Sequence, residues 1–193
     1  MVRIFVVAAS LLVSNISLAG AWVFDDAHSA ADFSIRHMMV SNVKGQIGGL
    51  KGTIDIDDKD LTKSKVDVSL DVTTIDTRNG KRDEHLKSSD FFDVQKFPQM
   101  HFVGKKIEKA GKGLKVTGDL TIKGVTKSTV LMVDGPTGPV KDPWGKFKRG
   151  FTAQATINRK DFGLTWNKAL DGGGVVLGDD VKVAIEAELE EKK

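Results

Sequence analysis

Hydrophobic and polar residues alternate along most of the chain after its first twenty residues. The alternation has a period of two in five segments, which are residues 31–37, 65–72, 115–122, 151–157 and 181–189. This period predicts β-strands that have one buried face and one solvated face. Weaker strand patterns cover residues 45–56, 99–104 and 128–133. The patterning therefore predicts one all-β domain of about eight strands.

Turn-forming sequences separate these segments, and only residues 79–89 indicate a helix. Asn79 is placed to cap that helix, and Asp83 and Glu84 lie in its first turns. Eight or so antiparallel strands form either a sandwich or a closed up-and-down barrel. Closure into a barrel would remove exposed strand edges. The turn sequences are Asp57-Asp58-Lys59-Asp60, Gly111-Lys112-Gly113, Lys123-Gly124, Asp134-Gly135-Pro136 and Gly172-Gly173-Gly174.

The first 21 residues have the pattern of a bacterial export signal. Arg3 supplies a positive charge, residues 4–13 are almost entirely apolar, and Ala19 and Ala21 are small residues at positions that a signal peptidase reads. We predict cleavage after Ala21, with cleavage after Ala19 as the alternative. The apolar run is about half of the ~20 residues needed to span a bilayer. The expected product is a periplasmic domain of residues 22–193 without an integral membrane segment.

Composition excludes several kinds of chemistry. The 193 residues include no cysteine, which rules out disulfides, thiol nucleophiles and thiolate metal sites. The four histidines, at 28, 37, 85 and 101, do not have the spacing of a metal motif, and phosphate-binding and nucleophile-elbow motifs are missing. A net charge of +3 is too small to indicate a nucleic-acid partner. We therefore expect no catalytic residues, no metal, no cofactor and no nucleic acid.

Two polar clusters contain residue types that occur in catalytic sites. Residues 25–29 contain the residue types of a serine hydrolase, but neighbours along a strand rarely converge on one point. The favoured interpretation is that His28 or Ser29 satisfies nearby backbone groups. Residues 77–86 could form an acid/base or anion site, although a surface helix whose Arg82 and Asp83 hold a loop is favoured. The phenylalanine-rich residues 91–97 follow, and they could fill a core or line the mouth of an apolar cavity.

Several blocks of sequence, taken in order, carry a family resemblance. The blocks are Trp22-Val23-Phe24-Asp25, His28-Ser29, Phe33-Ser34-Ile35-Arg36-His37, Val40-Ser41-Asn42-Val43-Lys44-Gly45, Gly52-Thr53-Ile54, Arg82-Asp83-Glu84-His85-Leu86, Asp90-Phe91-Phe92-Asp93, Phe97-Pro98-Gln99-Met100-His101-Phe102, Gly118-Asp119-Leu120-Thr121-Ile122-Lys123-Gly124-Val125-Thr126, Arg159-Lys160-Asp161-Phe162-Gly163 and Leu177-Gly178-Asp179-Asp180-Val181. Together they resemble the YceI-like family of periplasmic, lipocalin-like proteins that bind polyisoprenoids, and the similarity runs from Trp22 to Leu189. Ile47 and Leu50 stand where the family often has aromatic residues, so the ligand of a relative is not transferable.

The resemblance implies an eight-stranded antiparallel lipocalin-like β-barrel with a short helical segment near one end. Its inside would hold a polyisoprenoid, a quinone or a fatty-acid-like lipid, for transport, storage or a stress response. It is also compatible with a homodimer, although the exposed strand faces indicate no interface. The alternatives are an enzyme acting on a lipid or small metabolite, and a barrel filled by its own side chains.

The inward strand faces and the phenylalanine-rich segment then predict which residues bind the ligand. His37, Arg82 and His85 are the polar residues expected near its head group. Met38 and Met39 would make the segment after His37 pliable. The remaining predicted ligand-binding residues are apolar and would line the tunnel or its mouth. The predicted set is Phe33, Ile35, His37, Met38, Met39, Arg82, His85, Phe91, Phe92, Phe97, Met100, Phe102, Leu120, Ile122, Phe151, Phe162 and Trp166.

Overall fold

The computed structural model describes residues 20–192, and every segment predicted to be a strand contains one. Residues 1–19 of the predicted signal peptide lie outside the described residues, whereas Gly20 and Ala21 belong to the first strand. The strands are β1 Gly20–Phe24, β2 Ala30–His37, β3 Ser41–Ile47, β4 Lys51–Ile56, β5 Lys65–Asp71, β6 Gln99–Ala110, β7 Gly113–Ile122, β8 Val125–Asp134, β9 Val140–Lys141, β10 Phe147–Asn158 and β11 Leu177–Glu191. One α-helix of the described part, α1, covers Gly80–Lys87, and short 3-10 helices cover Asp26–His28, Leu61–Lys63, Val72–Thr74 and Arg159–Phe162.

The strands close into a barrel because β11 is long enough to pair along its whole length. On one edge β11 pairs with β10, and on the other it pairs with β2 and then with β1. β1 and β2 lie end to end along β11 and act as one interrupted strand. Their antiparallel partners, β4 and β3, form the next interrupted strand. Neighbours then follow in sequence order from β4 to β8, and β8 pairs with β10. The predicted eight-stranded antiparallel barrel with a short helix is confirmed.

Several predicted boundaries were wrong. Residues 45–56 do not form one strand, because Gly48, Gly49 and Leu50 separate β3 from β4. Gly49 has a φ of +63°, and a Cβ there would lie 2.7 Å from Cβ of Asp71, so the chain turns at a position that favours glycine. β6 extends past its predicted end to Ala110 through an irregularity between Gly104 and Lys106. β1 was not predicted, because Gly20–Phe24 contains no alternation of polar and apolar residues and begins inside the predicted signal peptide.

The two ends of the barrel differ. At one end, α1, the β2–β3 turn and residues 159–176 cover the strand ends; we call this the helical end. The opposite end holds a buried cluster of Trp22, Ile54, Ile56 and Leu189. Arg149 covers the ring of Trp22 there and is itself only 4% exposed. We call this the closed end.

No helix of the described residues is both long and apolar enough to span a bilayer.

Candidate functional site

An apolar cavity of about 370 Å³ occupies the inside of the barrel. It extends from Ile56 and Pro136 near the closed end to His37 and Trp166 at the helical end. Its walls are the inward faces of the strands, where alternate residues are aliphatic or aromatic, as along β7 at Leu114, Val116, Leu120 and Ile122. The volume lies within the range of small-molecule binding pockets, about 300–1,000 Å³. The cavity argues against a barrel filled by its own side chains.

Most of the predicted ligand-binding residues line this cavity. The strand residues among them face inward, as alternation predicted. Those at the helical end belong to α1, to the segment that follows α1, or to the segment that follows β10. The predicted residues that line the cavity are Phe33, Ile35, His37, Arg82, His85, Phe91, Phe92, Met100, Phe102, Leu120, Ile122, Phe151, Phe162 and Trp166.

Met38, Met39 and Phe97, the other three predicted residues, are not among the residues that line the cavity. Met38 and Met39 form the turn between β2 and β3, where the chain has left the sheet and the alternation of faces ends. Phe97 packs against the turn between β7 and β8, where a Cβ on Gly124 would lie 2.8 Å from its ring. Ligand binding by these three residues stays a prediction.

Other lining residues were not in the predicted set. Many are aliphatic residues on strand faces whose alternation was recognised, so the same period of two could have included them. Arg159 is different, because it follows β10 and no periodic signal marks it. Examples of the aliphatic residues are Val66, Val68, Leu70, Leu114, Val116, Leu131, Val133, Ile157, Val181, Val183, Ile185 and Leu189.

Aromatic contacts close the cavity at the helical end. The imidazole of His85 lies 5.1 Å from the ring of Phe91 and 5.0 Å from that of Trp166, edge to face in both cases. Phe91 and Trp166 are themselves 5.3 Å apart. Nε2 of His85 lies 2.9 Å from a carboxylate oxygen of Asp90, which orients the imidazole. This cluster ties α1 to the segment after β10.

Arg82 and Asp83 hold the start of α1 against the loop before it. The side chain of Asn79 accepts a hydrogen bond from the backbone N–H of Arg82 at 3.1 Å, which confirms the predicted cap. Arg82 donates from Nε and Nη2 to the hydroxyl and carbonyl oxygens of Thr77, at 2.7 and 2.8 Å. The Asp83 carboxylate accepts from the backbone N–H of Thr77 at 2.9 Å. This charged segment is therefore a helix whose Arg82 and Asp83 hold a loop, as the favoured interpretation of the sequence predicted.

Arg159 is a buried arginine that organises the loop across the helical end. It donates to the carbonyl oxygens of Leu164, Trp166 and Gly178, and its side chain is 3% exposed. Its charged partner is the carboxylate of Asp179, at 3.5 Å. Burial lowers the pKa of Arg159 from its ordinary value. Because its donors face backbone carbonyls, we interpret Arg159 as a residue that positions Trp166.

The polar cluster after β1 lies on the outer surface near the closed end. Ser29 Oγ donates to the Glu188 carbonyl and accepts from the Glu188 N–H, both at 3.1 Å, so it satisfies backbone groups as expected. Asp25, His28 and Glu188 come close enough together to hold a cation. The ammonium of Lys148 lies between these acids, 2.6 Å from Asp25 and 3.2 Å from Glu188. The hydrogen bond from Lys148 lowers the pKa of Asp25 to about 2, and the same bond raises the pKa of Lys148.

A closed antiparallel barrel around an apolar cavity is the architecture of lipocalin-like proteins. Comparison with known proteins narrows this class. The YceI-like domain matches residues 22–189, and the chain belongs to the YceI family. A UPF0312 protein of Staphylococcus aureus strain MSSA476 is 40% identical over 168 residues, which cover 86% of this chain and 95% of that protein.

Solved structures agree with this assignment. A YCEI protein of Campylobacter jejuni is 37% identical, has a TM-score of 0.68, and the match covers 82% of this chain and 91% of that one. BcnA of Burkholderia cenocepacia is 21% identical with a TM-score of 0.71, covering 86% and 98%. A polyisoprenoid binding domain from Saccharophagus degradans is 14% identical with a TM-score of 0.60, covering 90% and 99%. The last two share the fold.

Proposed function

We propose that this protein binds an isoprenoid-tailed or other long-chain amphiphile inside the barrel. The observation that carries the proposal is the continuous apolar cavity, whose walls are almost wholly hydrocarbon between Ile56 and His37. A polyisoprenoid binding domain with the same fold supports this ligand class. The candidates are a polyisoprenoid, an isoprenoid quinone and a fatty-acid-like lipid, and the protein would carry or store the lipid without transforming it.

The head group would lie at the helical end. His37, Arg82 and His85 line the cavity there, whereas Arg149 at the closed end is occupied by Asp58, with two contacts of 2.7 Å. Arg82 uses Nε and Nη2 to hold Thr77. Nη1 of Arg82 makes no hydrogen bond within residues 20–192, so this atom could donate to a polar head group. The tail would then extend towards Ile56.

Tail length would determine selectivity. Burying hydrocarbon contributes about 0.8 kcal/mol per CH2 group, so several isoprene units would soon exceed realistic affinities. Ordering a flexible tail offsets much of this gain. Because Trp22 and Arg149 close the far end, a tail longer than the barrel would leave carbons in water. Selectivity therefore follows the match between tail and cavity more than head-group hydrogen bonds.

The proposed location is the periplasm, following the export signal predicted from the sequence. Fractionation of cells that express the full chain tests this, by recovery of a shortened protein in the periplasmic fraction. Full-length protein in the cytoplasm would contradict it.

The ligand proposal is tested on protein purified from its native compartment without detergent. Native mass spectrometry and an organic extract are expected to give one bound lipid with a long apolar tail. An added quinone with a matching tail should displace that lipid. Folded protein that yields no lipid and binds no quinone would overturn the proposal.

A further inference from the structure

Three consecutive large apolar side chains protrude at the helical end. Met38, Met39 and Val40 are 44%, 58% and 78% exposed. Val175, on the neighbouring hairpin of residues 168–176, is 38% exposed. Met38 binds this hairpin through its N–H, which donates to the Val176 carbonyl at 2.7 Å. We call Met38, Met39, Val40 and Val175 the apolar tip. A cluster of exposed apolar residues marks an interaction site more often than scattered ones do.

The apolar tip is built on a strained turn. The Val40 N–H donates to the His37 carbonyl at 3.1 Å, and the two residues between them have φ of +48° and +61°. Both central residues of a type I′ turn require positive φ, for which asparagine and glycine are preferred. Methionine at both positions is unfavourable for folding. Strain of this kind is found at functional sites.

The tip adjoins the proposed ligand site. His37 and Val176 line the cavity, and the residues next to them in the chain, Met38 and Val175, are exposed. Met39 lies against Gly174 of the neighbouring hairpin, at 3.9 Å from the position of a Cβ there. A surface that contacts the apolar tip would therefore face the end of the barrel where His37, Arg82 and His85 line the cavity.

We infer that the apolar tip inserts into the interface of a lipid bilayer and brings the mouth of the barrel to the membrane. This inference rests on the proposed function, because a long-tailed ligand resides in bilayers and would cross water at a large cost per CH2 group. A stable protein partner would need about 800 Å² on this side, and a few partly exposed side chains offer far less. Interfacial binding scales with the apolar area that is buried, so a small apolar protrusion gives weak and reversible attachment to a bilayer.

The opposite end carries a competing apolar surface. Trp144 is 85% exposed there, beside exposed Val140 and Phe147. Docking through Trp144 would turn the end sealed by Trp22 and Arg149 towards the lipid and the helical end away from it. Docking through the apolar tip and docking through Trp144 would therefore orient the barrel in opposite directions on the membrane. A substitution at each end distinguishes the two.

Charge around the tip is mixed. Arg36 and Lys168 are exposed and form no ion pair within the described chain. Asp171 and Asp180, two acidic residues close in sequence to Val175, are exposed as well. The Arg36 guanidinium donates to the Met39 carbonyl at 2.5 Å and thus supports the turn itself. Insertion by apolar contact therefore predicts binding that depends little on salt.

The test is flotation of the mature protein with extruded vesicles of phosphatidylethanolamine and phosphatidylglycerol, at low salt and at high salt. We expect the protein to float with vesicles at both. The double variant Met38→Asn/Met39→Gly keeps the turn and suits its backbone better, so it should fold at least as stably as the wild type. Its vesicle partitioning should fall about tenfold, because two apolar side chains leave the interface. Trp144→Ser, at the opposite end, should float like the wild type.

Four results would overturn the inference: no flotation of the wild type, equal flotation of the double variant, loss of flotation in Trp144→Ser, or loss of wild-type flotation at high salt. A concentration-dependent dimer that the double variant abolishes would assign the tip to a second copy and also overturn it. Lipid extraction from the same preparations separates the two proposals. Vesicle binding without extractable lipid would contradict the proposed function alone, and lipid without vesicle binding would contradict this inference alone.

Discussion

The guanidinium carbon of Arg149 lies 4.7 Å above the ring of Trp22, and Nη2 of the same arginine lies 2.7 Å from both carboxylate oxygens of Asp58. Arg149 is 4% exposed and Trp22 3% exposed. The pair seals the barrel at the end away from α1. It also ties the loop after β4 to the start of β10 across the opening.

Replacing Arg149 should therefore destabilise the fold strongly. Arg149→Ala removes the cation over Trp22 and leaves the Asp58 carboxylate without its partner, which we expect to cost about 3–5 kcal/mol of unfolding free energy. Urea denaturation measures this loss. The control Lys63→Ala breaks an exposed ion pair with Asp60, at 3.7 Å, and should cost less than about 1 kcal/mol. Equal losses in the two variants would contradict a sealing role for Arg149.

Filling the middle of the cavity should shorten the tail that the protein accepts. Val68 faces the cavity on β5 and pairs with Gly52 and Phe102, whereas its neighbour Ser69 faces outward. Val68→Phe is expected to shift the lipids recovered by extraction towards shorter tails, and Ser69→Phe should leave them unchanged. Mass spectrometry of both extracts provides the comparison. The same tail-length distribution in both variants would show that the cavity does not hold the tail.

Acid should weaken the fold through Asp25. Lys148 holds the pKa of this carboxyl at about 2, below its usual 3.8, so the ionised form is favoured in the folded state. The stabilisation is present above about pH 4 and is lost as pH falls from there towards 2. It amounts to about 2 kcal/mol, since each pKa unit corresponds to roughly 1.4 kcal/mol.

Unfolding free energies measured between pH 2 and 6 test this expectation. Asp25→Asn should lose the extra stability at pH 6 and show a shallower decline in this window. Asp26→Asn, at the exposed neighbouring position, should follow the wild type. If Asp25→Asn declines as steeply as the wild type, the acid sensitivity belongs to other carboxylates.

Trp166 should report on ligand binding. It lines the cavity beside His85, while Trp144 is exposed at the other end of the barrel and Trp22 lies beneath Arg149. A benzoquinone with a decyl tail is expected to quench the tryptophan fluorescence of the wild type. Trp166→Phe should lose most of this quenching, whereas Trp144→Phe should keep it. Undiminished quenching in Trp166→Phe would place the quinone away from the helical end.

The cavity lining shows how far sequence patterning reaches. Phe33, Leu120 and Phe151 were predicted to face inward because side chains on a strand alternate between two faces, and they do. Alternation gives no information on Met38 and Phe97, since both lie outside the strands. Arg159 belongs to a block that resembles the family, but it was not predicted to line the cavity. Its burial depends on carbonyl groups of Leu164 and Gly178, which only the folded loop brings together.

The sequence by itself determined which residues face inward along each long strand, the cap of α1 by Asn79, and the family resemblance. These follow from local rules, because periodicity and capping involve residues close together in the chain. The tertiary structure decided that β11 closes the barrel against β1 and β2, that Arg149 seals one end, and that Met38 and Met39 protrude at the other. Those features depend on pairing between residues far apart in the chain, which a period of two does not encode.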